Sequence, residues 1–282
     1  MISSNVLNLI LDPILIFGWF GLPAMGIRGA AIASVVSYTI TFTVGLFLLY
    51  GGFTNIKLHL SGKVPMSIES MKKILMIGLP AWFGSICFSG SRLILTPLIA
   101  AFGTSVVAAY GVGNQVTHLG MMILVGIGLG LSSLIGHNIG GNKIERAKKT
   151  ADQAVLLAVG IMIAMGLITF IFAERIMGLF FESPETIGYG VTMLQVLAIG
   201  FPFIGLFIML EEIHVGVGLN TPPMVFNIIH AWLFEVIPIF ILTKYFGFDQ
   251  DIIWWVIVIA LVLTSSIFYQ YYRQGRWLTI KV

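Results

Sequence analysis

The chain has 282 residues, of which 58% are aliphatic, aromatic or sulfur-containing and only 10% are charged, with a formal net charge of +3. Soluble domains carry about 25% charged residues, and with a mean hydropathy of +1.00 this composition excludes a water-soluble globular protein, because it cannot furnish the polar surface. The small net charge gives no sign of a nucleic-acid partner and none is expected; the expected surroundings are a lipid bilayer.

Runs of about twenty apolar residues are read as bilayer-spanning helices. Eight such runs follow one another, over roughly 1–19, 29–50, 74–101, 106–136, 151–173, 190–212, 222–245 and 252–272. Glycine, proline and charge clusters break them, at Gly18 to Gly29, Gly51 to Lys73, Gly140 to Lys149, Glu182 to Gly188 and Gly247 to Asp251. The pattern predicts an all-α polytopic membrane protein of about eight transmembrane helices. No basic region follows Met1, and Asn5, Asn8, Asp12 and Pro13 interrupt the first run, so it does not read as a cleavable leader. A carboxylate at membrane depth is costly unless partnered. Asp12 on a first span without flanking interfacial residues therefore points to further helices upstream.

Lys and Arg in short loops set orientation. Lys57, Lys63, Lys72 and Lys73 share one loop, Lys143, Arg146, Lys148 and Lys149 another, and Arg273, Arg276 and Lys281 the tail; these are 11 of the 15 basic residues, on alternate loops. The expectation is a plasma (inner) membrane protein with these loops and the C-terminus in the cytoplasm. The loop near Glu211 and Glu212 carries no basic residue, and both acids read as interfacial rather than buried.

Ionisable residues within spans are functional candidates by default. Asn8 and Asp12 are four apart and share a helix face, and Pro13 loosens the preceding turn. Carboxylate, amide and loosened turn make an oxygen cage for Na⁺ or a proton-binding carboxylate; the plainer alternative is bonding between helices. Arg92 is the one base inside a span: it binds an anionic group, neutralises a buried acid, or snorkels. His118, His230 and Glu235 are single polar groups on apolar helices, and interhelical bonding is the plainer role for each. Gln115, with these residues and Arg92, completes the candidate substrate-cavity set. The 13 Met and 21 Phe are packing or lipid-facing residues, or else a pliable cavity wall. Cys87, the one cysteine, excludes a disulfide framework.

Gly126, Gly128 and Gly130 follow no strand and form no nucleotide loop. Gly126 with Gly130, and Gly136 with Gly140, are small residues at four-residue spacing, expected to let helices approach closely. No HExxH, G-x-S-x-G or Walker A pattern occurs, so neither an enzyme nor a cofactor is expected. The stretch from Asn8 to the end of the second span is weakly similar to that from Asn227 through Pro238 to Arg273, as in transporters built from duplicated halves. On that reading residues 1–50 are the last two helices of an N-terminal lobe, 51–73 a cytoplasmic inter-lobe loop, 74–273 a six-helix C-terminal lobe and 274–282 a tail.

Several motifs together resemble a known family. Asn8-Leu-Ile-Leu-Asp12-Pro13 with Ile16-Phe17-Gly18, then Gly26 and Gly29-Ala-Ala-Ile-Ala-Ser34, resemble the fifth and sixth helices of MATE (multidrug and toxic compound extrusion) transporters. Gly78-Leu79-Pro80 resembles the start of their seventh. Gly136-His137-Asn138-Ile139-Gly140-Gly141-Asn142 with Glu145-Arg146-Ala147 resembles the "GQNIGAG…RA" pattern after the eighth, and Gly216-Val-Gly218-Leu-Asn220-Thr-Pro222 the "GAGDT…P" pattern after the tenth.

The resemblance implies helices 5–12 of a twelve-helix, two-lobe exporter driven by Na⁺ or H⁺, taking amphipathic or cationic small molecules as substrates. It implies that Asn8 and Asp12 bind the coupling ion (Na⁺ in a sodium-coupled member), with Ser34 where the family has a Thr; the first-helix Asp of that site has no counterpart here. Another branch uses a seventh-helix Glu and a tenth-helix Asp, and Phe88 and Ile204 stand at the counted positions, so coupling is expected in the N-terminal lobe. The missing partners are the other N-terminal helices or a separate chain that completes a half-module. A lipid-linked-oligosaccharide flippase of the same superfamily is the alternative, disfavoured because Arg92 is the only base available to hold a pyrophosphate.

Overall fold

A computed structural model describes residues 2–21, 23–52 and 67–279. Lys57, Lys63 and Lys281, and most of the expected inter-lobe loop, lie outside the described residues. All regular structure among the described residues is helical. Unit 1 comprises residues up to Ser67 and unit 2 begins at Ile68.

Unit 1 is a helix pair. Helix α1 spans Ile2–Phe17 and α2 spans Ile27–Gly51. The connection turns back along α1, where the Met25 and Gly26 amides donate to the carbonyls of Leu15 and Ile16 at 3.0 and 3.2 Å. Gly29 sits against the Leu15 carbonyl so closely that any side chain there would collide with backbone. That explains a glycine at this position in the motif.

Unit 2 is a six-helix bundle: α3 Ile68–Ala100, α4 Thr104–Gly140, α5 Ile144–Gly178, α6 Pro184–Gly216, α7 Thr221–Lys244 and α8 Asp251–Arg273. α6 is apolar on all sides and is the central element, packed on α4, α5 and α8. Its Met193, Leu194, Phe201, Met209, Leu210 and Ile213 are fully enclosed. In lipid, helices associate through close packing and small residues rather than through water exclusion. Here Gly136 meets Gly216, where an added methyl would stand 2.8 Å from the Gly216 carbonyl oxygen, and Gly166 meets Ala198 likewise at 2.8 Å. The expectation for Gly126, Gly130 and Gly140 fails among the described residues: none of them comes within 4 Å of a methyl built at any of the three.

The helices outrun the apolar runs. α3 begins at Ile68, and Glu69 and Lys73 form an i,i+4 ion pair at 3.0 Å on its exposed first turns. Gly78-Leu79-Pro80 therefore lies inside this helix and does not start it. Lys148 and Lys149 likewise belong to α5, and the break before it shrinks to Gly141–Lys143, with Asn142 in the left-handed region at φ 56°. Apolarity marks the stretch that suits the hydrocarbon; helix formation needs only compatible residues and continues into the polar boundary.

Residues Ile229–Val236 of α7 are wound as a π-helix, which the apolar pattern does not reveal. Pro238 has no N–H to donate one turn back. The turn before it is wider, and the Ile237 amide reaches back to the Trp232 carbonyl, five residues away.

Candidate functional site

Two groups of polar side chains lie on the apolar helices, one in each unit. In unit 1 the Asn8 Nδ2 group donates to Asp12 Oδ1 at 3.4 Å and to Ser34 Oγ at 3.3 Å. The three side chains named from the sequence thus meet across α1 and α2, and all are half-buried. Pro13 removes the amide that would otherwise bond the Leu9 carbonyl, leaving one more oxygen on this stretch. One turn beyond Ser34, the Ser37 hydroxyl is buried with no hydrogen-bond partner among the described residues. The sequence reading missed Ser37, although its spacing of three from Ser34 was visible.

In unit 2 a cavity of about 280 Å³ lies among α3, α4, α6, α7 and α8. Stripes at i, i+3 and i, i+4 spacing build its walls: Tyr110, Asn114, Thr117 and Met121 from α4, and Leu197, Phe201, Ile204, Ile208 and Glu211 from α6. Phe88 and Arg92 enter from α3, and Asn227 and His230 from α7. Phe88 and Ile204, neither of which can ionise, both face this space.

Arg92 is anchored on three sides. Its Nη1 donates to Glu235 Oε1 and to the Tyr110 hydroxyl, each at 3.3 Å, and its guanidinium lies 5.2 Å from the centre of the Phe88 ring. Tyr110 in turn stacks on Trp254 at 5.8 Å. Glu235 is 0% exposed and its second oxygen lies 3.6 Å from His230 Nε2. The π-helix makes this arrangement: in an α-helix residues five apart are about 140° apart around the axis, whereas π winding brings i and i+5 together. Arg92 therefore neutralises a buried acid, one of the roles read from the sequence. Trp232 Nε1 donates to the Cys87 carbonyl at 3.0 Å, holding α7 to α3 beside the cluster.

Of the candidate cavity residues, Arg92 and His230 line this space, whereas the exposed Gln115 and His118 and the enclosed Glu235 do not. Gln115 and His118 each follow a lining residue, Asn114 or Thr117, and so are turned about 100° away from it. Glu211 is not interfacial: it faces the cavity, and Asn227 Nδ2 donates to its Oε1 at 3.0 Å. The α6 stripe ending at Glu211 is the signal that would have found it. Among the described residues no base pairs with Glu211, so it is the unmatched acid of the cavity.

Among the described residues, seven helices long and apolar enough to cross a membrane and a shorter apolar helix over Ser3–Phe17 define a helical, multi-pass membrane protein. The MatE family model matches residues 80–241, more than half of the chain. The chain belongs to the MatE family. It is 27% identical over 275 residues to the protein named "Probable multidrug resistance protein NorM" of Thermotoga maritima, covering 97% of this chain and 59% of that one. It is 28% identical over 271 residues to the multidrug export protein MepA of Staphylococcus aureus strain MRSA252, covering 92% and 56% respectively. The chain thus spans less than two thirds of the length of the curated relatives it matches. Among solved structures, a MOP superfamily transporter from Pyrococcus furiosus superposes with a TM-score of 0.89 at 23% identity, over 99% of this chain and 62% of that one. A crystal structure of MATE in the straight conformation gives 0.87 at 22%, over 97% and 61%. At these identities the likeness is one of fold.

Proposed function

We propose that this chain forms the cation-binding helix pair and the second lobe of an antiporter that exports organic cations or drugs by alternating access. The observation that carries the reading is the meeting of Asn8, Asp12 and Ser34, at 3.3 to 3.4 Å, across two helices of a multi-pass membrane protein. A carboxylate and a hydroxyl oxygen are hard ligands suited to Na⁺, and an amide turned to present its oxygen adds a third. The same carboxylate also takes a proton, and H⁺ is the other candidate ion.

Coupling follows from differential affinity. A ligand shifts a two-state equilibrium only by binding one state better. Asp12 without a cation is an unneutralised charge that a closed, dry arrangement of α1 and α2 disfavours; a bound cation removes that cost. Pro13 supplies the weak point at which α1 bends. The cavity in unit 2 suits the cargo: Glu211 offers a carboxyl group with no basic partner among the described residues, Phe88, Phe201, Phe207 and Tyr110 offer aromatic surface for a cationic amphiphile, and Met121 an adaptable contact. The flippase alternative is disfavoured by the same cavity, because its lining base, Arg92, is neutralised by Glu235. Basic loops on alternate sides orient the C-terminus to the cytoplasm. Helices supplied by contiguous upstream sequence, or by a partner chain, enclose α1 and α2.

The test expresses the protein from its own gene with all contiguous coding sequence, in cells lacking other exporters. Asp12→Asn is expected to abolish gradient-driven efflux of a lipophilic cation at unchanged membrane abundance. Undiminished efflux by that variant overturns the assignment.

A further inference from the structure

A second polar site lies outside the cavity, at one end of α5 and α8. A groove of about 660 Å³ is lined there by Lys148, Asp152, Tyr269, Tyr272, Arg273 and Trp277, with Val155, Leu156 and Val159 at its apolar side. Leu156 also lines a second groove, of about 550 Å³, that continues along α5 past Leu157, Gly160, Ile161 and Ala164. The two form one track, polar at one end and apolar at the other. No described residue lies within 4 Å of a methyl built at Gly160, so the apolar part is open there.

The polar end is fixed in place. The Tyr272 hydroxyl donates to Asp152 Oδ1 at 2.8 Å, tying α8 to α5. Trp277 is 1% exposed and stacks on Tyr272 at 5.4 Å. It reaches this position because the chain turns at Gly275, whose φ of +70° suits glycine. Lys148 and Arg273 are both exposed at the groove, and among the described residues neither has an ion-pair partner. The Asp152 carboxylate, the groove's one acid, is engaged by Tyr272.

From Lys148 to Ala164 the track rises about 24 Å along α5, close to the depth of one leaflet with its headgroups, about 20–22 Å. Basic and aromatic side chains at one end mark the membrane interface. Two free cations there complement a phosphate group, and basic pockets between transmembrane helices bind anionic headgroups. We infer that this track holds one anionic phospholipid, its phosphate between Lys148 and Arg273 and an acyl chain along Leu156, Gly160 and Ala164.

The test is native mass spectrometry of the purified protein in mild detergent with an equimolar mixture of phosphatidylglycerol and phosphatidylcholine of identical chains. The wild-type protein is expected to retain phosphatidylglycerol preferentially, by up to about fivefold for each basic residue at the headgroup. Lys148→Gln with Arg273→Gln brings the ratio towards one, while Lys148→Arg with Arg273→Lys keeps the preference. Gly160→Leu fills the apolar track and lowers retention of both lipids alike. The inference is overturned if the double glutamine variant keeps the wild-type ratio. It is equally overturned if Arg146→Gln with Lys149→Gln, outside the track, lowers the ratio as much.

Discussion

Replacing Glu235 by glutamine removes one charge and almost no volume, which isolates the electrostatics of the cluster in unit 2. The carboxylate is fully enclosed, with Arg92 Nη1 at 3.3 Å and His230 Nε2 at 3.6 Å. At 3.3 Å an ion pair in a medium of effective dielectric constant near 20 is attracted by about 5 kcal/mol before desolvation is counted. Removing one partner of a buried pair costs about 3–5 kcal/mol, because the other is left uncompensated. The Arg92 side chain is 37% exposed, so solvent screens part of this, and the expected loss is about 2–3 kcal/mol. For a bundle of this size that lowers the unfolding midpoint by roughly 5–10 °C. The assay follows a thiol-reactive dye on heating in detergent, and Cys87, the chain's one cysteine, reports from α3 beside the cluster. Arg92→Gln in the same chain is expected to recover most of the loss, since a neutral pair of similar volume replaces the ions. A Glu235→Gln variant melting within a degree of wild type, or a double variant no better than the single, refutes the reasoning.

Two further outcomes follow from packing and from the cavity. Gly216→Ala puts a methyl 2.5 Å from the Ser132 carbonyl oxygen and is expected to cost about 1–3 kcal/mol. Gly126→Ala, with nothing within 4 Å, is expected to be neutral or slightly stabilising in the same thermal assay. Glu211→Gln should weaken equilibrium binding of a fluorescent monovalent organic cation about tenfold, the equivalent of one charge-assisted contact, whereas Gln115→Ala and His118→Ala leave it unchanged. Equal losses from all three would mean that the cavity lining does not select the cargo.

The sequence was most legible where chemistry is expensive. An apolar run of about twenty residues has few alternatives to a membrane helix, and each of the eight readings corresponds to a helix. Asn8 and Asp12 shared a face by spacing alone, and Ser34 entered through the family resemblance; their meeting across two helices is a tertiary fact. Helix ends were less legible, because Glu69 to Lys73 and Glu145 to Lys149 continue a helix without any apolar signal. The cavity was half legible. Arg92, His230 and Glu235 stood out as ionisable groups in apolar runs, but their joining depends on the π-turn before Pro238, which no hydropathy pattern shows. Gln115 and His118 each stand one residue beyond a side chain that lines this cavity, Asn114 or Thr117, a difference that helical phase and not polarity distinguishes.

The central claim is that the α1–α2 carboxylate couples transport while the unit 2 cavity holds the cargo. It is tested most directly in proteoliposomes of the full-length gene product, by imposing a Na⁺ or H⁺ gradient and measuring substrate movement. Asp12→Asn is expected still to bind the organic cation but to show no gradient-driven movement, while Glu211→Gln keeps the driven movement with a raised KM. Undiminished gradient-driven transport by Asp12→Asn would contradict it.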